Sequence, residues 1–243
     1  MDQGRSPRQS GKFALQVAHA LSLVDPLDRP GISTTEGCLL RRVASAYGLP
    51  VLNLTPSAQA NELLTNDPFA LLVGMLLDQQ FPMERAFAGP QILAERLGTP
   101  GRLDPQVIVN TSDADLLAAA KGPPAIHRYP GSMIDRIRTL AQIVIDDYDG
   151  DAARSCTAAP NGNAAVRAMR DLPGFGEQKA KIFIALVGKQ LDQAPSGWKA
   201  ATTPYGRTGT TMSIADVTDE ESLLKVRAWK QRRKKRLAKA AQA

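Results

Sequence analysis

Apolar residues recur at the three- and four-residue spacing of amphipathic helices through most of the chain from residue 57 onwards. Residues 69–80 are apolar nearly all round, which predicts a buried helix, and Asp67 followed by Pro68 supplies the start of it. Residues 132–147 are apolar on one face only. No segment shows the alternation typical of a strand, and no repeat of fixed period is present. The pattern therefore predicts an all-α fold.

Residues 171–181 read D-L-P-G-F-G-E-Q-K-A-K and separate two helical patterns. Pro173 cannot continue the first helix, and Gly174 and Gly176 can both adopt a positive φ without steric cost. This turn predicts a helical hairpin over residues 163–188, with main-chain N–H groups that point outward at the start of its second helix. Such amides bind phosphate oxygens without reading a base sequence. The alternative is an ordinary connection between helices that ends on a glycine.

Three segments of the chain, in this order, resemble the helix-hairpin-helix superfamily of DNA glycosylases, which contains endonuclease III and the adenine-DNA glycosylases. They are residues 67–80, residues 126–137 and the hairpin L-P-G-F-G-E-Q-K-A at residues 172–180. The resemblance covers about residues 62–192. It implies a two-lobed, all-α glycosylase fold. It also implies base-excision repair, in which a damaged or mismatched base is rotated out of the duplex and its N-glycosidic bond is hydrolysed.

The resemblance also implies which residues contact DNA. Gln80 matches the position whose side chain enters the duplex, where it would fill the gap left by the rotated base. Arg128 and Tyr129 lie in the loop ahead of the hairpin and are suited to a phosphate and to a stacked base or sugar, respectively. The hairpin residues expected at the DNA backbone are Gly174, Phe175, Gly176, Gln178 and Lys179. Capping of helix carbonyls by Gln79 and Gln80, and packing of Tyr129 on the core, are the alternatives.

Cleavage of the glycosidic bond needs a carboxylate beside the sugar, which stabilises positive charge or activates water. The family places an aspartate shortly after the hairpin, but counting forward from Gln178 leads to residues 196–198, where no acid occurs. An insert at residues 195–211 intervenes. Asp216, within S-I-A-D-V, is therefore the first candidate, and Asp192 and Asp219 are the alternatives.

These candidates also have structural interpretations, since Thr218 and Glu221 predict a capping box around Asp219. Strand-nicking relatives use a hairpin lysine as a nucleophile, but this chain has Gln178 there, and Lys179 lies about 100° further round the helix. We therefore expect a monofunctional glycosylase that uses water. The missing acid and lysine leave a second hypothesis open, a catalytically inactive DNA-binding or damage-sensing protein.

The insert carries two aromatic residues, Trp198 and Tyr205, which are expected either to line a base pocket or to anchor the insert to the protein surface. Only Cys38 and Cys156 are present, too few for the four-cysteine iron–sulfur cluster of many endonuclease III relatives. No cluster of residues has the spacing of zinc ligands. We expect no cofactor, although the resemblance suggests a monovalent cation shared between hairpin carbonyls and a phosphate.

The charge of the chain favours a polyanionic partner, with a formal net charge of +6 and a pI near 9.5. Residues 225–239 hold nine Lys or Arg and no acid, a run expected either to follow phosphates or to form a solvated helix end. No apolar run is long enough to cross a bilayer. We expect double-stranded DNA as the partner and no membrane, and a cytoplasmic monomer associated with the nucleoid if the source is bacterial.

The chain divides into three parts on this interpretation. Residues 1–55 form an N-terminal extension, polar and partly disordered at its start, that does not match the glycosylase pattern. Residues 56–224 form the helical domain, and residues 225–243 form the basic C-terminal tail.

Overall fold

The computed structural model describes residues 51–240. Within that range the chain forms α-helices, a π-helical turn and a 3₁₀ turn but no strands, so the prediction of an all-α fold is confirmed. The helices are α1 (Ala58–Asn66), α2 (Pro68–Leu77), α3 (Met83–Arg96), α4 (Pro105–Asn110), α5 (Asp113–Lys121), α6 (Pro130–Tyr148), α7 (Arg154–Thr157), α8 (Gly162–Arg170), α9 (Glu177–Leu186), α10 (Trp198–Ala201) and α11 (Glu220–Ala240). A π-helical turn (Val187–Leu191) follows α9, and a 3₁₀ turn (Ile214–Asp216) precedes α11. Residues 1–50 of the predicted extension and residues 241–243 of the predicted tail lie outside the described residues.

Helix α2 lies at the centre of the first half of the fold. Asp67 caps it, because one carboxylate oxygen accepts the N–H groups of Phe69 and Ala70 at 2.9 and 3.0 Å. Helices α1, α3 and α6 pack around α2, and α4 and α5 pack on α6. A Cβ added to Gly74 would lie 2.7 Å from the ring of Phe87, so the glycine allows α2 and α3 to approach closely.

The predicted end of α2 at residue 80 is wrong, since the helix stops at Leu77. Asp78 leaves the helical region with ψ 64°, and the chain continues as a loop to Pro82. The last carbonyls of the helix are taken by a side chain from far along the chain, because the Lys179 ammonium donates to Met75 O at 2.8 Å and to Leu76 O at 3.3 Å.

The packed domain includes residues ahead of position 56. Leu52 and Leu54 are buried among the core side chains. Asn61 holds this segment in place, since its side-chain oxygen accepts the N–H groups of Leu54 and Thr55 at 3.0 and 2.9 Å. Its amide nitrogen donates to Thr55 O at 2.8 Å. These contacts tie the start of the described chain to α1.

The second half of the fold is built on the hairpin of α8 and α9. Helix α10 packs against both, the 3₁₀ turn packs on α9, and α11 packs on the 3₁₀ turn. The ring of Trp198 lies against Gly188, where an added Cβ would come within 2.5 Å of it. Tyr205 is buried. The two aromatic residues thus anchor the insert to the domain.

Helix α11 is mostly solvated, and Val226 is its one buried residue within the described part of the chain. Beyond Val226, all its residues are exposed except Trp229 and Arg233, which are half-buried. None of the helices within residues 51–240 is both long enough and apolar enough to span a bilayer.

Candidate nucleic-acid interface

The turn between α8 and α9 leaves the first amides of α9 open. Of the two glycines that can adopt a positive φ, Gly174 does so with φ 79°, whereas Gly176 has φ −85° and ψ 173°. Gly176 is the extended N-cap residue of α9, and none of the described side chains caps the helix. The first main-chain bond of α9 runs from Ala180 N–H to Gly176 O at 2.9 Å. Gly176, Glu177 and Gln178 are exposed, so the N–H groups of this turn face solvent and can donate hydrogen bonds to a bound anion.

The side chain of Phe175 points into the protein and holds the turn. It is 4% exposed, and its ring meets that of Phe183 edge to face at 5.9 Å. The Phe175 N–H donates to Leu172 O at 3.1 Å. A contact between Phe175 and DNA would therefore use the main chain, while Gly174, Gly176 and Gln178 are open to solvent.

The loop at residues 78–82, here called the Gln80 loop, presents one side chain in a strained conformation. Gln80 is exposed and has φ 53°. The left-handed region costs a non-glycine residue about 1–2 kcal/mol, so neighbouring contacts must hold it there. Gln79 provides them, because its Nε2 donates to Leu76 O at 2.5 Å and its Oε1 accepts from Arg136 Nη1 at 3.0 Å.

His127 joins the Gln80 loop to the loop of Arg128 and Tyr129. The Tyr129 N–H donates to His127 Nδ1 at 3.1 Å, so that nitrogen carries no proton. The proton is on Nε2, which donates to Gln79 O at 2.9 Å. His127 is 2% exposed, and its ring lies 4.9 Å from that of Phe81 and 6.1 Å from that of Tyr129. The imidazole is therefore neutral and is hydrogen-bonded to both loops.

Arg128 and Tyr129 are both exposed on the loop that His127 fixes. Tyr129 is 51% exposed, and the guanidinium of Arg128 lies 5.4 Å from the centre of its ring. A large aromatic side chain with half its surface in water is available for stacking. The structure thus brings three of the predicted DNA-contacting residues, Gln80, Arg128 and Tyr129, onto loops that are directly bonded to each other.

The hairpin contacts the Gln80 loop through Gln79 and Lys179. A Cβ added to Gly174 would lie 3.0 Å from Gln79 Nε2. Burial lowers the pKa of Lys179 to about 8, an effect that Asp78 opposes and Arg136 adds to. Burial raises the pKa of Asp78, and Lys230 and Lys179 act in the opposite direction. Gln79 caps a carbonyl of α2, as the alternative interpretation expected of both glutamines, whereas the role of Asp78 was not predicted from the sequence.

The carboxylate of Asp216, the first candidate for catalysis, is surrounded by donors. Oδ1 accepts from Lys189 Nζ at 2.6 Å and Thr210 Oγ1 at 3.0 Å, and Oδ2 accepts from the N–H groups of Met212 and Ser213 at 2.8 and 3.1 Å. A carboxylate offers about four lone-pair sites, and all four are occupied here. The side chain is 4% exposed. It ties the end of the insert to the π-helical turn.

The alternative acids are exposed and occupy helix ends. Asp192 has φ 52° and follows the π-helical turn. Asp219 caps α11, because its Oδ1 accepts Ser222 N–H at 2.7 Å and its own N–H donates to Ser222 Oγ at 2.9 Å. The hydrogen bond from the Ser222 N–H lowers the pKa of Asp219. The predicted capping box of Thr218 and Glu221 is therefore wrong, and the cap is formed one residue later by Asp219 and Ser222.

Comparison with known proteins adds to this geometry. No curated protein matches the chain. The family described as HhH-GPD superfamily base excision DNA repair protein matches residues 73–243, which is well over half of the chain and includes the Gln80 loop, the hairpin and α11. DNA binding and base-excision repair follow from this membership. The chain belongs to the HhH-GPD superfamily of base excision DNA repair proteins.

Proposed function

We propose that the protein is a monofunctional DNA glycosylase, which rotates a damaged or mismatched base out of double-stranded DNA and hydrolyses its N-glycosidic bond. The observation that carries this proposal is the direct contact between the hairpin and the Gln80 loop. Gly174 packs on Gln79, and the Lys179 ammonium binds the carbonyl end of α2. A turn with open amides and a loop that presents an exposed side chain are thus in direct contact.

Each part of this assembly has a distinct role in the proposal. The amides from Gly176 to Lys179 bind a phosphate, Gln80 enters the base stack, and Arg128 and Tyr129 contact the same duplex. A stack that has lost one base leaves a gap, and closing it offsets part of the cost of unstacking, a few kcal/mol. The exposure of Gln80 and its strained backbone, at φ 53°, both support this role.

Two observations at the hairpin favour hydrolysis by water over attack by an amine. Gln178, at the position where strand-nicking relatives carry lysine, has no nucleophilic nitrogen. The ammonium of Lys179 donates to two carbonyls of α2 and is directed into the protein. Asp216 is the proposed carboxylate, and Asp192 and Asp219 are the alternatives. Release of Thr210, the one neutral side-chain donor on Asp216, would free a lone pair for water.

The second candidate function is DNA binding without base release. It is favoured by the closed environment of Asp216, whose oxygens are all engaged and whose side chain is buried. A general base must reach the proton that it removes, and this carboxylate reaches none without rearrangement. The hairpin and the Gln80 loop would then bind and distort DNA without cleaving it.

A base-release assay separates these two functions. Duplexes that contain uracil, an alkylated purine, an oxidised purine or an oxidised pyrimidine are incubated with the protein, then treated with alkali. We expect wild type to release at least one of these bases. We expect one of Asp216→Asn, Asp192→Asn or Asp219→Asn to lose at least about 100-fold in rate, which is about 2.7 kcal/mol of transition-state stabilisation, while it retains duplex binding. Tight binding of all four duplexes with no base release would establish the second function.

The Gln80 loop gives a prediction in which stability and function change in different directions. Gln80→Gly relieves the strain at φ 53° and is expected to raise the free energy of unfolding by about 1 kcal/mol. Gln80→Ala keeps the strain. Both variants lose the inserted side chain, so 2-aminopurine fluorescence next to the lesion should show at least about tenfold less base rotation in each. Rotation at the wild-type level in both variants would exclude Gln80 from the base stack.

A further inference from the structure

Helix α11 carries a continuous stripe of positive charge. Arg232, Lys235, Arg236 and Lys239 are spaced at three and four residues, which places them within about 100° of the helix circumference. All four are exposed. Val226, which packs into the domain, lies about 120° away from Arg232 around the axis. The side chains of the stripe therefore lie in solvent, and their like charges repel each other unless an anion lies along them.

The start of α11 is fixed beside the Gln80 loop. Arg227 forms an ion pair with Glu84 in the first turn of α3, and the Glu84 side chain is 16% exposed. Asp78 of the Gln80 loop is acted on by two cations, Lys230 from α11 and Lys179 from the hairpin helix. The three elements, α11, the hairpin and the Gln80 loop, thus converge on one half-buried carboxylate.

We propose that α11 is a third DNA-contacting element, whose stripe of four cations lies along the phosphates of the duplex that flanks the nucleotide at Gln80. The proposal rests on DNA binding through the hairpin and the Gln80 loop, and it does not depend on base release. From Arg232 to Lys239 the helix rises about 10 Å, which matches roughly three base-pair steps. Contacts of this kind add affinity and set the direction of the duplex without reading its sequence.

The composition of α11 favours nucleic acid over an anionic bilayer as the partner. A helix that binds a membrane surface needs an apolar face opposite its charges. Val226 is buried in the domain, and the large apolar residues beyond the first turn that are not buried, Leu224, Trp229 and Leu237, are spread over about 220° of the helix circumference. The ring of Trp229 is covered by the guanidinium of Arg233 at 5.5 Å.

The test compares two quadruple variants of the full chain that remove the same charge. In the first, Arg232, Lys235, Arg236 and Lys239 are replaced by Gln, a good helix former. In the second, the exposed cations Arg102, Lys121, Arg154 and Lys199 are replaced by Gln. The binding constant for an undamaged duplex of about 30 base pairs is measured by fluorescence anisotropy from about 50 to 200 mM KCl.

We expect the negative slope of log K against log salt concentration to decrease in magnitude by about 2 to 4 for the α11 variant, since each lost phosphate contact removes about 0.9 from that magnitude. The slope for the second variant should change by less than about 1. Equal slopes for the two variants, or no change in the first, would overturn the proposal. So would binding of wild type to phosphatidylserine vesicles more tightly than to duplex. Base release at saturating DNA should persist in the α11 variant, so loss of the glycosylase proposal and loss of this one are distinguishable.

Discussion

A Gly176→Asp protein is expected to bind duplex DNA at least tenfold more weakly than wild type while unfolding at the same or a higher temperature. Gly176 is exposed, has an ordinary φ of −85°, and an added Cβ would meet nothing within 4 Å, so the substitution fits. An N-cap aspartate accepts hydrogen bonds from the following amides, which stabilises the helix by a few tenths of a kcal/mol relative to glycine. The same bonds occupy the phosphate site and place a negative charge in it. A tenfold loss is about 1.4 kcal/mol, modest for a charged hydrogen bond replaced by repulsion.

Two further substitutions at Gly176 separate the effect of capping the amides from the effect of adding a negative charge. Gly176→Ala adds neither a cap nor a charge, and Gly176→Ser adds a neutral cap. Affinity measured by anisotropy should fall in the order Ala, Ser, Asp, with Ala closest to wild type. Thermal unfolding of each protein checks that the fold is retained. An Asp variant with wild-type affinity would mean that the amides of α9 do not contact the DNA backbone.

The hairpin could be predicted from sequence because its structure depends on local chemistry. Pro173 and Gly174 end one helix and reverse the chain, and the observed helices begin or end within two residues of the predicted hairpin bounds. The backbone conformation of Gly176 could not be predicted, because a glycine permits a positive φ without requiring one. Its actual role is to leave the N-cap position without a side chain.

The Gln80 loop could be predicted only in part, because its conformation depends on distant residues. The end of α2 is set by Lys179, which is 104 residues away from Met75. The carbonyl of Gln79 is held by His127, 48 residues further along. The apolar pattern gives way to polar residues at positions 78–80, but nothing in the local sequence shows that partners this distant end the helix at Leu77.

The candidate acids show a similar limit of sequence information. A spacing argument can locate an aspartate near the sugar site, but it does not reveal how many donors surround the carboxylate. The donors to Asp216 come from three places, the π-helical turn, the end of the insert and the main chain ahead of the 3₁₀ turn. Folding brings these donors together, so the structural role of Asp216 can be recognised in the structure but not in the sequence.

The second large effect is expected at this buried ion pair. Asp216→Asn should lower the free energy of unfolding by about 3–5 kcal/mol, because it leaves the Lys189 ammonium, whose side chain is 13% exposed, without its counter-charge. Lys189→Met should cost less, about 1–2 kcal/mol, since Asp216 keeps three other donors. Chemical denaturation with urea measures both.

The double variant Asp216→Asn/Lys189→Met decides whether the loss of stability in Asp216→Asn arises from the unpaired charge of Lys189. It should be more stable than Asp216→Asn alone, because the stranded ammonium is gone. Lys189→Met also separates an effect on catalysis from an effect on stability, since it removes the ion pair but keeps the Asp216 carboxylate. If Asp216 acts at the sugar, base release should survive in Lys189→Met and disappear in both proteins that carry the Asp216→Asn substitution, including the stabilised double variant. An Asp216→Asn protein with wild-type stability would show that the ion pair between Lys189 and Asp216 does not stabilise the attachment of the insert to the π-helical turn.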